Sequence, residues 1–375
     1  MRVVVFCHSL MSDWNHGNAH FLRGIVTELG ERGHDVAVFE PLDAWSRANL
    51  VKDQGQQAID DVQRAFPRLR SAVYDPTGLD VPAMTEGADL VLVHEWNQPS
   101  LVAAVGAHKA AGGYRLLFHD THHRAVTAPE DMGRFDLRAY DGVLAFGAVI
   151  GQLYIDRGWA GQAWTWHEAA DTRVFHPLDD VERRGDLIWV GNWGDGERAE
   201  ELQEYLLDPV HRLGLEAVVH GVRYPAPAKL ALKEAGIRYG GWIANHRVPR
   251  AFAEHAVTVH VPRRPYVQAL PGIPTIRLFE ALACGIPLVC APWDDAEALF
   301  TPGTDYLVAA SGAQMESHLR DVLHDADLAE SLRQSGLKTV AARHTCAHRV
   351  DELLAVAAEL GLDSTGTPRR GTAGD

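Results

Sequence analysis

Short apolar runs recur along this chain with helix-length stretches between them, and that alternation restricts it to an α/β fold. Val3 to Cys7 is a continuous apolar run, followed by the polar loop Ser12-Asp-Trp-Asn-His-Gly-Asn18. Leu22, Ile25, Val26 and Leu29 then repeat at helical spacing, with Arg23, Glu28 and Arg32 on the other side. Gly33 stops that helix, and Val36-Ala-Val-Phe39, closed by Pro41, is the next strand. Strand–helix–strand in this order implies a parallel pair joined by a right-handed crossover.

Further strands are expected at Leu90 to Val93, Arg115 to Phe118 and Gly142 to Ala145, and charged residues 44–72 read as helical. Around Glu168-Ala-Ala-Asp-Thr-Arg-Val-Phe-His-Pro177 the pattern becomes a linker. A second series follows at Leu187 to Val190, Ala217 to His220, Val257 to His260 and Leu288 to Cys290, with helices around 197–207, 246–255 and 275–284. Two successive α/β halves predict two doubly wound, Rossmann-like domains facing each other across a cleft, residues 1–170 and 171–345. Helices at 315–324 and 327–343 continue the second domain, and a terminal helix in 346–361 is expected to fold back toward the first. Residues 362–375 are nearly devoid of apolar side chains and read as a disordered tail.

A length of 375 residues exceeds what one ordinary core supports, and 46 % apolar with 23 % charged residues is normal for a globular protein. The N-terminus reads as a first strand rather than a signal peptide, and no apolar run approaches the roughly 20 residues needed to span a bilayer. Cys7, Cys284, Cys290 and Cys346 lack metal-ligand spacing and read as thiols of a reducing cytoplasm. A net charge of −15 argues against nucleic acid as principal partner and against docking on anionic lipid. Nothing in the sequence specifies an oligomeric state.

Leu270-Pro-Gly-Ile-Pro-Thr-Ile-Arg-Leu-Phe-Glu-Ala-Leu-Ala-Cys-Gly-Ile-Pro-Leu-Val289 is the most informative stretch chemically. It reads as a Gly/Pro loop, a short helix carrying Glu280, and a Gly-Ile-Pro break into a buried strand. Backbone N–H groups of Gly272, Ile273 and Thr275 at a helix N-terminus, around Pro274, form an anion site suited to a diphosphate. A carboxylate one turn further in accepts hydrogen bonds from sugar or ribose hydroxyls. The other reading is an ordinary turn followed by an exposed helix glutamate. Leu278, Phe279 and Leu282 make the helix largely buried, where a charge demands a partner.

Four segments in order resemble the retaining glycosyltransferases of the GT-B fold, as in glycosyltransferase family 4. The C-terminal half is most similar to the "glycosyl transferases group 1" domain of spore-maturation-protein-like members. The segments are Asn15-His-Gly-Asn-Ala-His20 at the glycine loop, Phe118-His-Asp120 at a strand end, Ala170-Asp-Thr-Arg-Val-Phe-His-Pro177 at the hinge, and Phe279-Glu-Ala-Leu-Ala-Cys-Gly-Ile-Pro-Leu-Val289. The resemblance implies transfer of a sugar from a nucleotide-diphosphate donor to a hydroxyl of a small-molecule or glycan acceptor. It implies retention of anomeric configuration, no bound metal, and no cofactor beyond the nucleotide-sugar co-substrate. UDP is the default base by frequency among such enzymes, with GDP open. The implied catalytic residues are His119 beside the transferred sugar, Glu280 and Arg198.

Two departures from the family pattern concern charge. The family often carries a glutamate eight positions before that of Glu280, where this chain has Gly272. Its diphosphate-binding Arg…Lys pair after a Val-Gly strand end becomes Asn192 and Arg198 in Val190-Gly191-Asn192-Trp-Gly-Asp-Gly-Glu-Arg198. Arg277 is expected as a replacement charge, although Arg198 and Arg277 also read as ordinary helix arginines.

The acceptor side is expected to draw on Gly17, Asn18, His20, Glu95 and His122. Gly17 permits close backbone approach, while Asn18 and His20 are either substrate contacts or a helix cap. The cluster His119-Asp-Thr-His-His123 reads as sugar contacts, loop histidines or, against the familiar ligand spacing, a metal site. A hydrolase, an epimerase and a non-catalytic nucleotide- or sugar-binding protein are the alternatives of the same fold. A dinucleotide oxidoreductase is disfavoured because His8 to Gly17 lacks the Gly-x-Gly-x-x-Gly turn.

Overall fold

Runs of Val and Leu without polar alternation demand a sheet covered on both faces, and the chain builds two of them. A computed structural model describes residues 1–362. It divides into two units: Met1–Ser12 with Leu22–His167 and the chain from Cys346 onward, and Asp13–Phe21 with Glu168–Thr345.

The first unit holds a seven-stranded sheet. Its strands are β1 (Arg2–Phe6), β2 (Asp35–Pro41), β3 (Ala72–Tyr74), β4 (Leu90–His94), β5 (Arg115–Asp120), β6 (Gly142–Ala145) and β7 (Ala163–Thr165). Their order is β3-β2-β1-β4-β5-β6-β7, and every pairing is parallel. Val3 lies opposite Val36 on one side and Leu90 on the other, so the apolar runs form one buried layer. Trp166 Nε1 donates to the Arg349 carbonyl at 2.8 Å, and Trp164 Nε1 to Glu359 Oε2 at 2.8 Å, which hold the helix Cys346–Glu359 in this unit.

The second unit repeats the winding. Its strands are β8 (Gly185–Val190), β9 (Ala217–His220), β10 (Arg238–Gly241), β11 (His255–His260), β12 (Leu288–Cys290) and β13 (Leu307–Val308). They form a six-stranded parallel sheet in the order β10-β9-β8-β11-β12-β13. Leu187, Val219, Val257, Val259 and Val289 of the sheet pack with Leu206, Leu319 and Leu332 of the covering helices. Ligands of such sheets gather beyond the carboxyl ends of the strands.

Three details depart from the sequence reading. Arg23, assigned there to a polar helix face, is 1 % exposed: its Nε donates to the Leu10 carbonyl at 2.7 Å and its guanidinium lies 5.2 Å from the Phe66 ring. The stretch 44–72 read as helical holds two helices, Trp45–Gln54 and Gln57–Ala65, separated where Gly55 turns to φ +78°, while 66–71 is not helical and Ala72 opens β3. Residues 13–21 group with the second unit because their side chains bond there: Asn15 to Asn192, Asn18 to Glu168 and His20 to Glu280.

No helix among the described residues is long and apolar enough to cross a membrane. All four cysteines are free thiols. Of the tail expected to be disordered over 362–375, Leu362 is buried and its amide donates to the Ala357 carbonyl at 2.9 Å, and residues 363–375 lie outside the described residues.

Candidate active site

In the second unit, the helix Ile276–Cys284 brings Glu280 to a position with no solvent exposure. Glu280 Oε1 accepts from Asn245 Nδ2 at 2.8 Å and from His20 Nδ1 at 2.7 Å, and Oε2 accepts from Arg277. The Asp171 amide donates to His20 Nε2 at 2.8 Å, so that nitrogen carries no proton and Nδ1–H points to Glu280. Phe175 stacks on the same ring at 4.1 Å and sets its plane. Burial by itself raises the Glu280 pKa, but Arg277, His20 and Asn245 outweigh it and hold the carboxyl below the ordinary glutamate value. Glu280 is therefore a buried, ionised acceptor whose less saturated oxygen is Oε2.

Glu168 accepts Asn18 Nδ2 at 2.9 Å and the Ile276 amide. Burial pushes its pKa up to about 7, and the Glu280 charge adds to the shift. Asn18 is 7 % exposed, and its Oδ1 has no hydrogen-bond partner. A Cβ on Gly17 would lie 3.2 Å from Ile276 Cγ2, so glycine permits this loop to reach the helix start.

The Gly272–Thr275 loop serves fewer backbone donors than its sequence suggests. The Gly272 amide donates to the Asp294 carbonyl at 2.7 Å, the Ile276 amide goes to Glu168, and Pro274 has no N–H. Ile273 and Thr275 supply the rest. Gly272 sits at φ +83°, and a Cβ there would fall 2.6 Å from Glu297 Cγ. A glutamate at position 272 is strained on both grounds, because the Glu297 side chain occupies the space. The Thr275 hydroxyl meets His260 Nε2 at 2.9 Å. Burial, aided by Arg198 and Arg277, lowers the His260 pKa to about 3 and keeps the ring neutral.

At the end of β8, the Gly191 amide donates to the His220 carbonyl and its own carbonyl accepts the Tyr224 hydroxyl, at 2.8 and 2.9 Å. Arg198 lies folded under this loop, its Nη1 on the Val261 carbonyl and its Nη2 on the Asn192 carbonyl, both at 2.8 Å. Its guanidinium stands 5.0 Å from the Trp189 ring. Burial lowers its pKa to about 10, with Arg263 adding to the shift, so Arg198 stays charged at neutral pH. Arg277, the expected replacement charge, is instead committed to Glu280.

The first unit carries its own cluster at the ends of β4 and β5. His119 is 2 % exposed, 5.1 Å from the His94 ring and 4.8 Å from Trp166, and burial lowers its pKa to about 3. Asp120 accepts the His122 amide at 3.0 Å and the Tyr154 hydroxyl at 2.8 Å, with its pKa raised by burial and by the neighbouring Glu95. Half-buried His122 packs against Trp96 at 5.1 Å.

Several expected contacts have other partners. Glu95, assigned to the acceptor, has no exposed surface. It accepts Arg124 Nη2 at 2.8 Å and the Thr121 amide at 3.1 Å, so it braces the strand ends. His20, also expected there, has both ring nitrogens taken, by Glu280 and by the Asp171 amide. The structure brings together His20, Glu280 and Arg277 in one hydrogen-bonded group and Asn192 with Arg198 in another, while Asn18 bonds to Glu168. Asn245 joins the first group and Arg263 the second without having been singled out. Glu168 and His260, equally unforeseen, bond Asn18 and Thr275 beside them. No spacing rule links them to Glu280 or Asn192, because they arrive from other loops. Among the described residues, no three His, Cys, Asp or Glu side chains are grouped to hold a metal ion.

Residues 198–355 match a family model described as glycosyl transferase-like. No curated protein sequence matches the chain. Solved structures similar to it include sucrose-phosphate synthase from Thermosynechococcus elongatus, with TM-score 0.66, 12 % identity, and 96 % of this chain and 99 % of that one covered. An α-glucosyltransferase in complex with UDP-glucose and DNA containing an abasic site aligns with TM-score 0.70, 11 % identity, and coverage of 96 % and 99 %. HepE of Anabaena, in complex with UDP and glucose, aligns with TM-score 0.65, 14 % identity, and coverage of 96 % and 100 %. The protein thus has the GT-B fold, two Rossmann-like units each wound on a parallel sheet. Arg198, Arg277 and Glu280 fall within the stretch 198–355 that is similar to this family model.

Proposed function

We propose that the protein is a glycosyltransferase moving a sugar from a nucleoside-diphosphate sugar to a hydroxyl of a small-molecule or glycan acceptor. The observation that carries this reading is Glu280, an ionised carboxylate with no exposed surface one turn into the helix Ile276–Cys284. Burying a charge is costly even when Arg277, His20 and Asn245 compensate it, which favours a functional role for this one. Glu280 Oε2 is assigned the ribose hydroxyls of the donor, and the Asn18 Oδ1 acceptor a sugar hydroxyl. The Ile273 and Thr275 amides with Arg198 receive the diphosphate. A UDP-sugar is the favoured donor, supported by UDP-glucose and by UDP with glucose in two proteins of the same fold. A GDP-sugar is the alternative.

The reaction we assign is a front-side displacement with retention. The bond from the anomeric carbon to the diphosphate breaks, and a bond to the acceptor oxygen forms on the same face. The acceptor proton passes to the departing phosphate oxygen, and the helix start with Arg198 offsets the charge that develops there. No redox partner is needed, and we assign no metal to the step. The first unit's cluster around His119 is assigned to the acceptor, its neutral imidazole suited to hydrogen bonding with hydroxyls. Free thiols fit a reducing, cytoplasmic compartment.

The test is incubation with UDP-glucose and GDP-mannose against an acceptor panel, with and without chelator, reading anomeric configuration by NMR. Glu280→Gln and His119→Ala, folded by circular dichroism, are expected to lose turnover on the order of a hundredfold. Full turnover in both variants overturns the assignment. Gly272 and Asn192, at positions where the resembled family pattern has charged residues, favour a second reading as a nucleotide- or sugar-binding protein without turnover. Donor binding with no product, with or without acceptor, supports that reading.

A further inference from the structure

A donor diphosphate carries more than one negative charge, and Arg198 alone does not balance it. With Asn192 at the first charged position of the pattern and Arg277 bound to Glu280, the second cation must come from elsewhere. The loop leaving β11 provides one. Pro262-Arg263-Arg264-Pro265 sends its two arginines in different directions. Arg264 goes to acids of the helix after the 191–198 loop, its Nε 2.6 Å from Glu201 Oε1. Arg263 turns to the loop itself, with Nη2 2.9 Å from Asn192 Oδ1 and Nη1 2.7 Å from Glu197 Oε2.

Asn192 Oδ1 is also the acceptor of Arg198 Nη2, at 3.1 Å. One amide oxygen thus gathers two guanidinium groups, while the Asn192 amide nitrogen donates to Asn15 Oδ1 at 2.6 Å and fixes the side chain. Two guanidinium groups this close repel, which is reflected in the lowered Arg198 pKa, where Arg263 is the second cause after burial. A single carboxylate, Glu197, pairs with Arg263, and its side chain is 30 % exposed. Arg198 is 9 % exposed, and its Nε has no hydrogen-bond partner. Two like charges, one buried and one 18 % exposed, with a spare donor on Arg198 and one paired carboxylate among the described residues, form a place for an anion.

We infer that Arg263 acts with Arg198 as the diphosphate clamp of the donor site, supplying from β11 the cation missing at position 192. Asn192 is the hinge that holds the pair ready. This rests on the proposed donor site and names how its diphosphate is held.

The experiment is calorimetric titration of wild-type, Arg263→Ala, Arg264→Ala and Glu197→Gln proteins with UDP and UMP, and with GDP and GMP. Arg263→Ala is expected to weaken the diphosphate on the order of tenfold or more, and the monophosphate much less, so the preference between them narrows. Arg264→Ala and Glu197→Gln should bind the diphosphate no worse than wild type. Unchanged diphosphate affinity in Arg263→Ala overturns the inference. So does an equal loss in Arg263→Ala and Glu197→Gln, which makes Arg263 a brace for the loop. If wild-type protein binds neither UDP nor GDP, the donor site itself fails, and the clamp with it.

Discussion

Glu280 shows how a residue can be visible in sequence while its environment is not. Its place on a short apolar helix after a Gly/Pro loop is a local pattern. Its partners are not local: His20 is 260 positions away and Asn245 is 35. Spacing rules describe one helix or one strand, so they reach Arg277, three residues before, and miss the rest. The same limit hid Arg263 and Glu168, whose roles come from loops meeting at strand ends. Glu280→Ala leaves Arg277 and His20 facing an empty buried position and is expected to cost about 3–5 kcal/mol in urea unfolding. A loss well under 1 kcal/mol would contradict the paired-charge description. Gly272→Ala meets both a positive φ and the Glu297 side chain, so a loss of about 1 kcal/mol or more is expected in the same assay.

Among the elements, the inner strands were readable because buried parallel strands are unbroken runs of Val and Leu, as in β1, β4, β8 and β11. The edge strands were not. β3 is half to fully exposed, β10 is Arg-Tyr-Gly-Gly, and β13 is two residues long, so none leaves a periodic trace. Arg23 was misjudged for a related reason: helical spacing marks which residues face inward but says nothing of a carbonyl waiting there. The helix Ile276–Cys284 depends on Phe279, fully buried and 5.4 Å from the Phe300 ring. Phe279→Ala should destabilise the fold by about 3–5 kcal/mol and weaken nucleotide binding through Glu280, measured by unfolding and titration on the same sample. Intact stability would show that the helix is held by something other than this packing.

Across the whole molecule, buried ionisable groups set the pH response. His8, His119 and His260 are held neutral, with pKa values lowered by burial to about 4, 3 and 3 from an ordinary 6.5. The unfolded chain takes up protons at these groups first, so stability is lost as pH falls below about 6.5. Glu168 works in the opposite sense. Its raised value, about 7 against 4.5, makes the folded state bind the extra proton, and its contribution is lost as pH rises from 4.5 to 7. Glu95, Asp120 and Asp295 are raised in the same sense as Glu168. His34, His220 and His255 are lowered along with the three histidines, and together they outnumber these acids, so the melting temperature is expected to fall from pH 6.5 to pH 4. Glu168→Gln should raise it more at pH 8 than at pH 5. A profile flat from pH 4 to 8 in the wild type would contradict the buried neutral histidines.

The measurement that bears most directly on the donor site is a thermal-shift panel of UDP, GDP, ADP, TDP and CMP, with and without Mg²⁺, on wild-type protein. Binding to the folded state alone stabilises by about 2.7 kcal/mol at a hundredfold excess over Kd, enough to move the transition by several degrees. One diphosphate, with UDP expected, should raise the melting temperature strongly and equally with or without the metal. No shift with any nucleotide would contradict a nucleotide-sugar site around Glu280.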